Sequence, residues 1–303
     1  MIATRPIQEH LLTGTLISIL CSLVWSVAII MFKKSGDDVH PILLNLLKNC
    51  VGLVLFIPTV FIVDGFHLPS LTWSQWWILT ISGMIGIGAA DAMVLKALKQ
   101  AGASRLAIAE CAYSPCVILL SWIFLGEALT LPRFFGAVLV IVAILCVCIT
   151  KESLSATGGK VLSGMVWGSV GIMTMAIGIV MIKPLFSTVP LFWIITIRLA
   201  AGVVASAAVF AGVRQKRKVI QVLCQQSHKG LIFVACVLST YVSMILWVAG
   251  YKYNDAALAA VLNQTSTIFT VILAAVILKE QFTPLKAVGT LLATSGVMIM
   301  ALL

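Results

Sequence analysis

Residues Gly102–Ile149 read GASRLAIAECAYSPCVILLSWIFLGEALTLPRFFGAVLVIVAILCVCI: an apolar run carrying one acid (Glu110) and one proline (Pro115), a short Gly126-Glu127-x-x-Thr130 turn, then a second apolar run. The pattern returns 153 positions later, from Asp255, as DAALAAVLNQTSTIFTVILAAVILKEQFTPLKAVGTLLATSGVMIMAL. There Lys279-Glu280-x-x-Thr283 replaces the turn, and Gly289 falls where Gly136 was. A pair of hydrophobic helices joined by a tight polar turn, present twice in one chain, implies a duplicated membrane protein.

The composition around this stretch requires a membrane. With 61% apolar and 10% charged residues and a mean hydropathy of +1.13, the chain lacks the polar cover that a water-facing surface needs. The formal charge of +10 does not indicate nucleic acid, because the basic residues fall at the ends of apolar runs, where they meet headgroups. Seven of the eight cysteines (Cys21, Cys50, Cys111, Cys116, Cys146, Cys148 and Cys236) lie inside apolar runs and read as small hydrophobes, and Cys224 has no nearby partner. Neither a disulfide framework nor a metal site is expected.

A hydrocarbon core takes about 20 apolar residues as helix. Ten segments satisfy this: 12–32, 41–63, 74–95, 105–125, 132–150, 161–182, 190–212, 230–251, 255–278 and 284–303. Residues 1–11 are short and polar, and the run that follows lacks a small-x-small cleavage signal, so segment one is read as an uncleaved span. The segments divide into two groups of five, 1–150 and 151–303. Their first spans also correspond, through Gly14 and Gly164 and through Lys33 and Lys183, and the second spans begin alike at Pro41 and Pro190. Because each group has an odd number of spans, the second enters the bilayer upside down, and the repeat is inverted. Outside the spans, Arg5, Arg133, Lys183 and Lys252 stand on one side against fourteen basic residues on the other. That bias places both termini outside the cell.

These features resemble the EamA-type members of the drug/metabolite transporter superfamily over essentially the whole chain. The resemblance is carried by the two five-span halves and by the recurring Gly-Glu-x-x-Thr and Lys-Glu-x-x-Thr turns. It implies an all-α polytopic membrane protein of ten transmembrane helices, arranged as two inverted EamA-like repeats around a central cavity. The first four spans of each half line that cavity, with the fifth and tenth at the periphery. It also implies termini in the cytoplasm, against the charge bias, which is the reading preferred for this chain.

An ionisable side chain in hydrocarbon costs about 2.5 to 3.5 kcal/mol on insertion scales, so each needs a partner or a wet cavity. Lys48 lies about seven residues into span two, roughly 10 Å deep at 1.5 Å per residue. Asp91 near the end of span three and Glu110 near the start of span four reach a similar depth from the same face. One reading is a polar vestibule in which Lys48 pairs with one carboxylate while the other takes up a proton, making Glu110 and Asp91 the proton-coupling candidates. The other is a structural ion pair holding spans two to four together.

Through the repeat, Glu110 corresponds to Asn263 and Lys48 to Arg198 within one residue. Asn263 and Gln264 read either as neutral donors in a shared site or as an interhelical hydrogen bond, worth about 0.6 to 2 kcal/mol. Tyr113 stands three residues from Glu110, on the same helix face, and Pro115 frees the Cys111 carbonyl and bends the helix. Trp25 and Trp247, deep in spans one and eight, read as cavity walls or as core, whereas Trp73, Trp76 and Trp77 read as an interfacial belt. Gly83, Gly86 and Gly88, and Gly164, Gly168, Gly171 and Gly178, let helices approach closely. Glu127, Thr130, Glu280 and Thr283 read as caps at the start of spans five and ten.

The expected function is secondary transport, by alternating access, of a small polar or zwitterionic metabolite, coupled to protons or to exchange. No Walker motif supplies ATP drive. Export of amino acids or related metabolites follows from the resemblance. The expected partners are membrane lipids, the small-molecule substrate and protons, with the protein a monomer or homodimer, multi-pass in the cytoplasmic (inner) membrane and without a cofactor. A lipid-processing enzyme is disfavoured, since His10, His40, His67 and His228 are scattered and neither HExxH nor GxSxG occurs. A lipid or lipid-linked-sugar flippase of the same fold remains the alternative, with Lys48 and Arg198 as phosphate partners.

Overall fold

The structure is a computed structural model that describes residues 5–65, 69–126, 130–148, 158–253, 262–281 and 283–302. Every element in it is helical: α1 (Arg5–Gly36), α2 (Pro41–Asp64), α3 (Trp73–Ala101), α4 (Ala103–Glu110), α5 (Tyr113–Leu125), α6 (Leu131–Cys148), α7 (Gly158–Ile182), α8 (Leu191–Gly212), α9 (Lys216–Gln225), α10 (Lys229–Gly250), α11 (Thr265–Ile277) and α12 (Pro284–Leu302). Among the described residues, seven helical stretches are long and apolar enough to cross a membrane, and Phe134–Cys146, Thr265–Ile277 and Pro284–Ile299 are shorter apolar helices. The chain is a multi-pass membrane protein.

Local chemistry sets the boundaries. Pro41 opens α2 with His40 as its cap, the imidazole Nδ1 accepting from the Ile42 N–H at 3.3 Å. Thr72 and Gln75 cap α3 reciprocally. Gly102, at φ +87°, turns the chain between α3 and α4, a conformation that favours glycine. At the other end of α4, Cys111 and Ala112 make three-residue backbone bonds to Ile108 and Ala109, and the helix resumes at Tyr113. Pro115 has no N–H to return to Cys111, so span four is broken where the proline requires it.

Two departures from the sequence reading follow from side-chain pattern. The polar stretch after span seven contains helix α9, whose Val219 and Leu223, one turn apart, rest on the apolar core while its basic residues stay exposed. The carboxylate of Glu280 does not cap α12. It reaches back to the start of α4, accepting from Ala103 N (2.9 Å), Ser104 N (3.3 Å) and Ser104 Oγ (2.7 Å), with Lys286 Nζ at 3.6 Å. Four unpaired N–H groups at a helix start attract an anion from wherever it is closest. Thr283 does cap α12, accepting from Lys286 N at 3.4 Å. Glu127 lies outside the described residues, and Thr130 stands exposed just before α6.

Glycine makes the tightest seam. Along α7, Gly164 faces Gln100 and Ala101, Gly168 faces Ala97, Gly171 faces Ala90 and Met93, and Gly178 faces Gly86, all on α3. α3 in turn lies against α8, Gly83 on the Arg198 backbone and Gly88 on Gly202 and Ala205. Such contacts bring backbones to a distance no larger side chain allows. α6 and α12 pack side by side, Gly296 against Gly136 and Val140. Inside α3 and α10 the helix widens into π-turns at Met84–Ala89 and Val237–Val242. Their starts are 153 residues apart, the spacing of the sequence repeat.

Apolar side chains stay exposed along α2 (Val54, Ile57, Ile62), α6 (Phe134, Phe135, Ile141) and α12 (Val288, Leu291), as lipid requires. Trp73 and Trp77 are exposed and stack edge to face at 5.8 Å, as an interfacial pair does.

Candidate substrate site

Between these helices the rare ionisable groups gather. Lys48 of α2 and Asp91 of α3 form an ion pair, with 9% and 14% of their side chains exposed. Asp91 lies two residues past the π-turn of α3, and Asn45, on the face of α2 that carries Lys48, holds that turn with Asn49 bonded behind it. Asn45 Nδ2 donates to the carbonyls of Ile87 (3.2 Å) and Gly88 (3.0 Å) and to Ser206 Oγ (3.1 Å), and Asn49 Nδ2 donates to Asn45 Oδ1 (3.2 Å). These carbonyls belong to a widened turn whose regular bonding is disturbed, and the amide satisfies them. The sequence reading missed both asparagines, although Asn45-x-x-Lys48-Asn49 in an apolar span is a visible signal for a polar helix face.

Glu110 is the last residue of α4, and Trp25 Nε1 of α1 donates to its Oε2 at 3.5 Å. Among the described residues it has no ion-pair partner, since Lys48 is held by Asp91. Asp91 is close enough for the two acids to sense each other's charge. The helix break parts Glu110 from Tyr113, which opens α5 instead of sharing a continuous helix face. Tyr113 and Asp91 lie within electrostatic reach of Arg198 on α8. Glu110 and Arg198 keep accessible surface although protein surrounds them.

The amide pair divides. Gln264 Nε2 donates to Ser114 Oγ at 3.3 Å, an interhelical bond. Both side-chain polar atoms of Asn263 are buried without a partner, while its backbone carbonyl accepts from Ser22 Oγ of α1 at 3.1 Å. A seam of small hydroxyls holds α11 against α1 and α4: Ser26 donates to the Ser266 carbonyl, Thr270 to Ser26, and Thr267 to the Ala107 carbonyl. Ser22 lies one turn before Trp25, so α1 connects Asn263 with the Glu110 group.

Thus the structure makes two contacts among these residues, Lys48 with Asp91 and Trp25 with Glu110, with Arg198 and Tyr113 in electrostatic range and Asn263 joined to α1 through Ser22. Trp247 packs against an apolar cluster of Phe56, Ile87, Ile195, Leu199 and Val248, contributed by α2, α3, α8 and α10.

Comparison with known proteins fits a membrane carrier. A solved crystal structure superimposes with a TM-score of 0.66 at 17% identity, covering 96% of this chain and 96% of that one, a likeness of fold alone. An uncharacterized transporter of Bacillus subtilis (strain 168), YoaV, is 23% identical over 134 residues, 44% of this chain and 46% of that protein. The chain therefore spans about half the length of the curated relative it matches. The EamA-like transporter family model matches residues 12–149 and again 162–302. Two successive matches of that family, over nearly all of a multi-pass helical chain, identify this protein as a member of the EamA-like transporter family.

Proposed function

We propose that the protein is a secondary transporter that exports a small polar or zwitterionic metabolite, such as an amino acid, across a cytoplasmic membrane. In this reading ten spans form two inverted five-helix halves, 1–150 and 151–303, which rock about a central cavity. The observation that carries the reading is the state of Glu110. A carboxylate enclosed by protein, with an indole N–H beside it and no cation bonded to it among the described residues, is a group that exchanges a proton at low cost. Asp91, bonded to Lys48, serves the architecture. The glycine seams of α3 with α7 and α8 support sliding of one helix group past another. The outward termini follow from the loop charges.

The test is reconstitution into proteoliposomes with an imposed pH gradient and a pool of small metabolites. Wild-type protein is expected to show proton-dependent flux, and Glu110→Gln to abolish it while leaving expression and the folded state intact. Unchanged flux in Glu110→Gln removes this residue from the mechanism.

A second reading, a lipid or lipid-linked-sugar flippase, is favoured by an apolar groove between α1, α10 and α11. Val27, Ile30 and Met31 of α1, Leu231 of α10 and Ile277 of α11 line an apolar space of about 170 Å³ with Lys34 at its edge. Scrambling of fluorescent phospholipids by the same vesicles, insensitive to Glu110→Gln, decides for it.

A further inference from the structure

Lys48 of α2 and Arg198 of α8 each lie about two turns inside an apolar span, and the structure treats them differently. The Lys48 ammonium is consumed by Asp91. Arg198 has neither a hydrogen bond nor an ion pair among the described residues, and its Nε is buried without a partner. A guanidinium carries five donors in a rigid planar fork and cannot shed its charge at ordinary pH. Leaving it unanswered inside a membrane protein is costly.

The surroundings keep this fork clear. The root of Arg198 is fixed where the backbone of α8 meets Gly83 of α3. Its tip lies over two further glycines, Nη2 being 3.2 Å from the place a side-chain carbon would take at Gly86 and 3.6 Å from that at Gly178. Any larger residue at Gly86 would crowd the guanidinium. Tyr113, at the start of α5, supplies a hydroxyl within electrostatic reach. Lys48 and Asp91 cancel, so with Glu110 protonated the group holds one positive charge in excess, and that charge belongs to Arg198.

We propose that Arg198 is the anion subsite of the transporter, its fork receiving the carboxylate of the solute, with Gly86 and Gly178 keeping the space and Lys48 excluded from substrate contact. This rests on the transport reading and adds the sign and the anchor of the substrate. Planar bidentate pairing suits a carboxylate. Loading with a carboxylate also neutralises the group when Glu110 carries its proton.

The test has a ligand-free arm and a ligand arm, both on the full chain in detergent. In the first, Arg198→Gln is expected to leave the melting temperature unchanged or raised, because it removes an unanswered charge. Lys48→Met is expected to lower it by several degrees, because it strands Asp91. A loss in Arg198→Gln as large as that in Lys48→Met overturns the proposal, since it means that Arg198 serves the fold. In the second arm thermal shifts are titrated with isovalerate, L-leucine and isoamylamine, three probes that share an isobutyl group and differ in charge. Wild-type protein is expected to respond to the two carboxylates at about tenfold or more lower concentration than to the amine. Arg198→Gln and Gly86→Ala are expected to erase that preference, and Arg198→Lys to restore part of it. An amine that matches the carboxylates in wild-type protein, or a carboxylate preference that survives Arg198→Gln, overturns the proposal. Inorganic phosphate outcompeting isovalerate overturns the carboxylate assignment in favour of a phosphorylated solute. Failure of proton-dependent flux with the carboxylate preference intact overturns the coupling mechanism while leaving the anion subsite standing.

Discussion

Glu110, Lys48 and Asp91 illustrate how a membrane interior sorts ionisable groups. One cation serves two acids, and distance decides which one it takes: Asp91 is bonded to Lys48, and Glu110 is left with an indole. The sequence shows that these three residues share a depth, but spacing along three separate spans cannot state which pair closes. The same limit applies to Arg198 and Asn263, whose unpartnered atoms become visible only when every neighbour is placed. At the membrane edge, His40 caps α2 through Nδ1. Burial first, and then nearby Lys99 and Lys96, hold its imidazole below the ordinary value of 6.5. A lowered value favours the neutral folded form, so the stabilisation is complete above the ordinary value and is lost as pH falls through the lowered one. His40→Asn retains a capping acceptor without a titration. The melting temperature of the wild type relative to this variant should fall between about pH 8 and pH 5, and parallel profiles would remove His40 from the cap.

At the scale of elements, the break in span four was legible, because a proline deletes one backbone donor wherever it sits. The anchoring of α4 was not. The Glu280 turn recurs in the sequence next to α12, and local capping rules assign it there. Its carboxylate instead closes on Ala103 and Ser104, 177 and 176 residues away. Helix starts compete for anions through space, and sequence separation does not enter. Gly102 serves this contact twice, by its φ of +87° and because a side-chain carbon there would stand 2.8 Å from Glu280 Oε1. Glu280→Gln should destabilise the protein by about 1 to 3 kcal/mol, read by denaturation in detergent, and Gly102→Ala should act in the same direction. Full stability in both variants would show that α4 is held by its apolar faces alone. Asn45, which satisfies the π-turn of α3, and Asn49, which bonds to it, were written in the sequence as two amides in an apolar span. Their purpose was hidden, because no local signal marks the widened turn.

For the whole molecule, duplication was the most legible feature. The 153-residue offset of the quoted stretch reappears in the two π-turns, Met84–Ala89 and Val237–Val242, and the family match falls twice on the chain. A repeated hydrophobic pattern survives in sequence because each span must face lipid. The content of a site shared between halves survives less well, since each half contributes different residues to it. The account rests on that shared site being wet and reachable from water. Single cysteines at Asn263 and at lipid-facing Val54, in a background with the eight native cysteines replaced, test this by labelling in sealed vesicles. Asn263→Cys should react with a membrane-impermeant methanethiosulfonate, and Val54→Cys only with a lipid-soluble maleimide. If Asn263→Cys reacts only with the lipid-soluble reagent, no water-filled site lies between the halves, and the account fails.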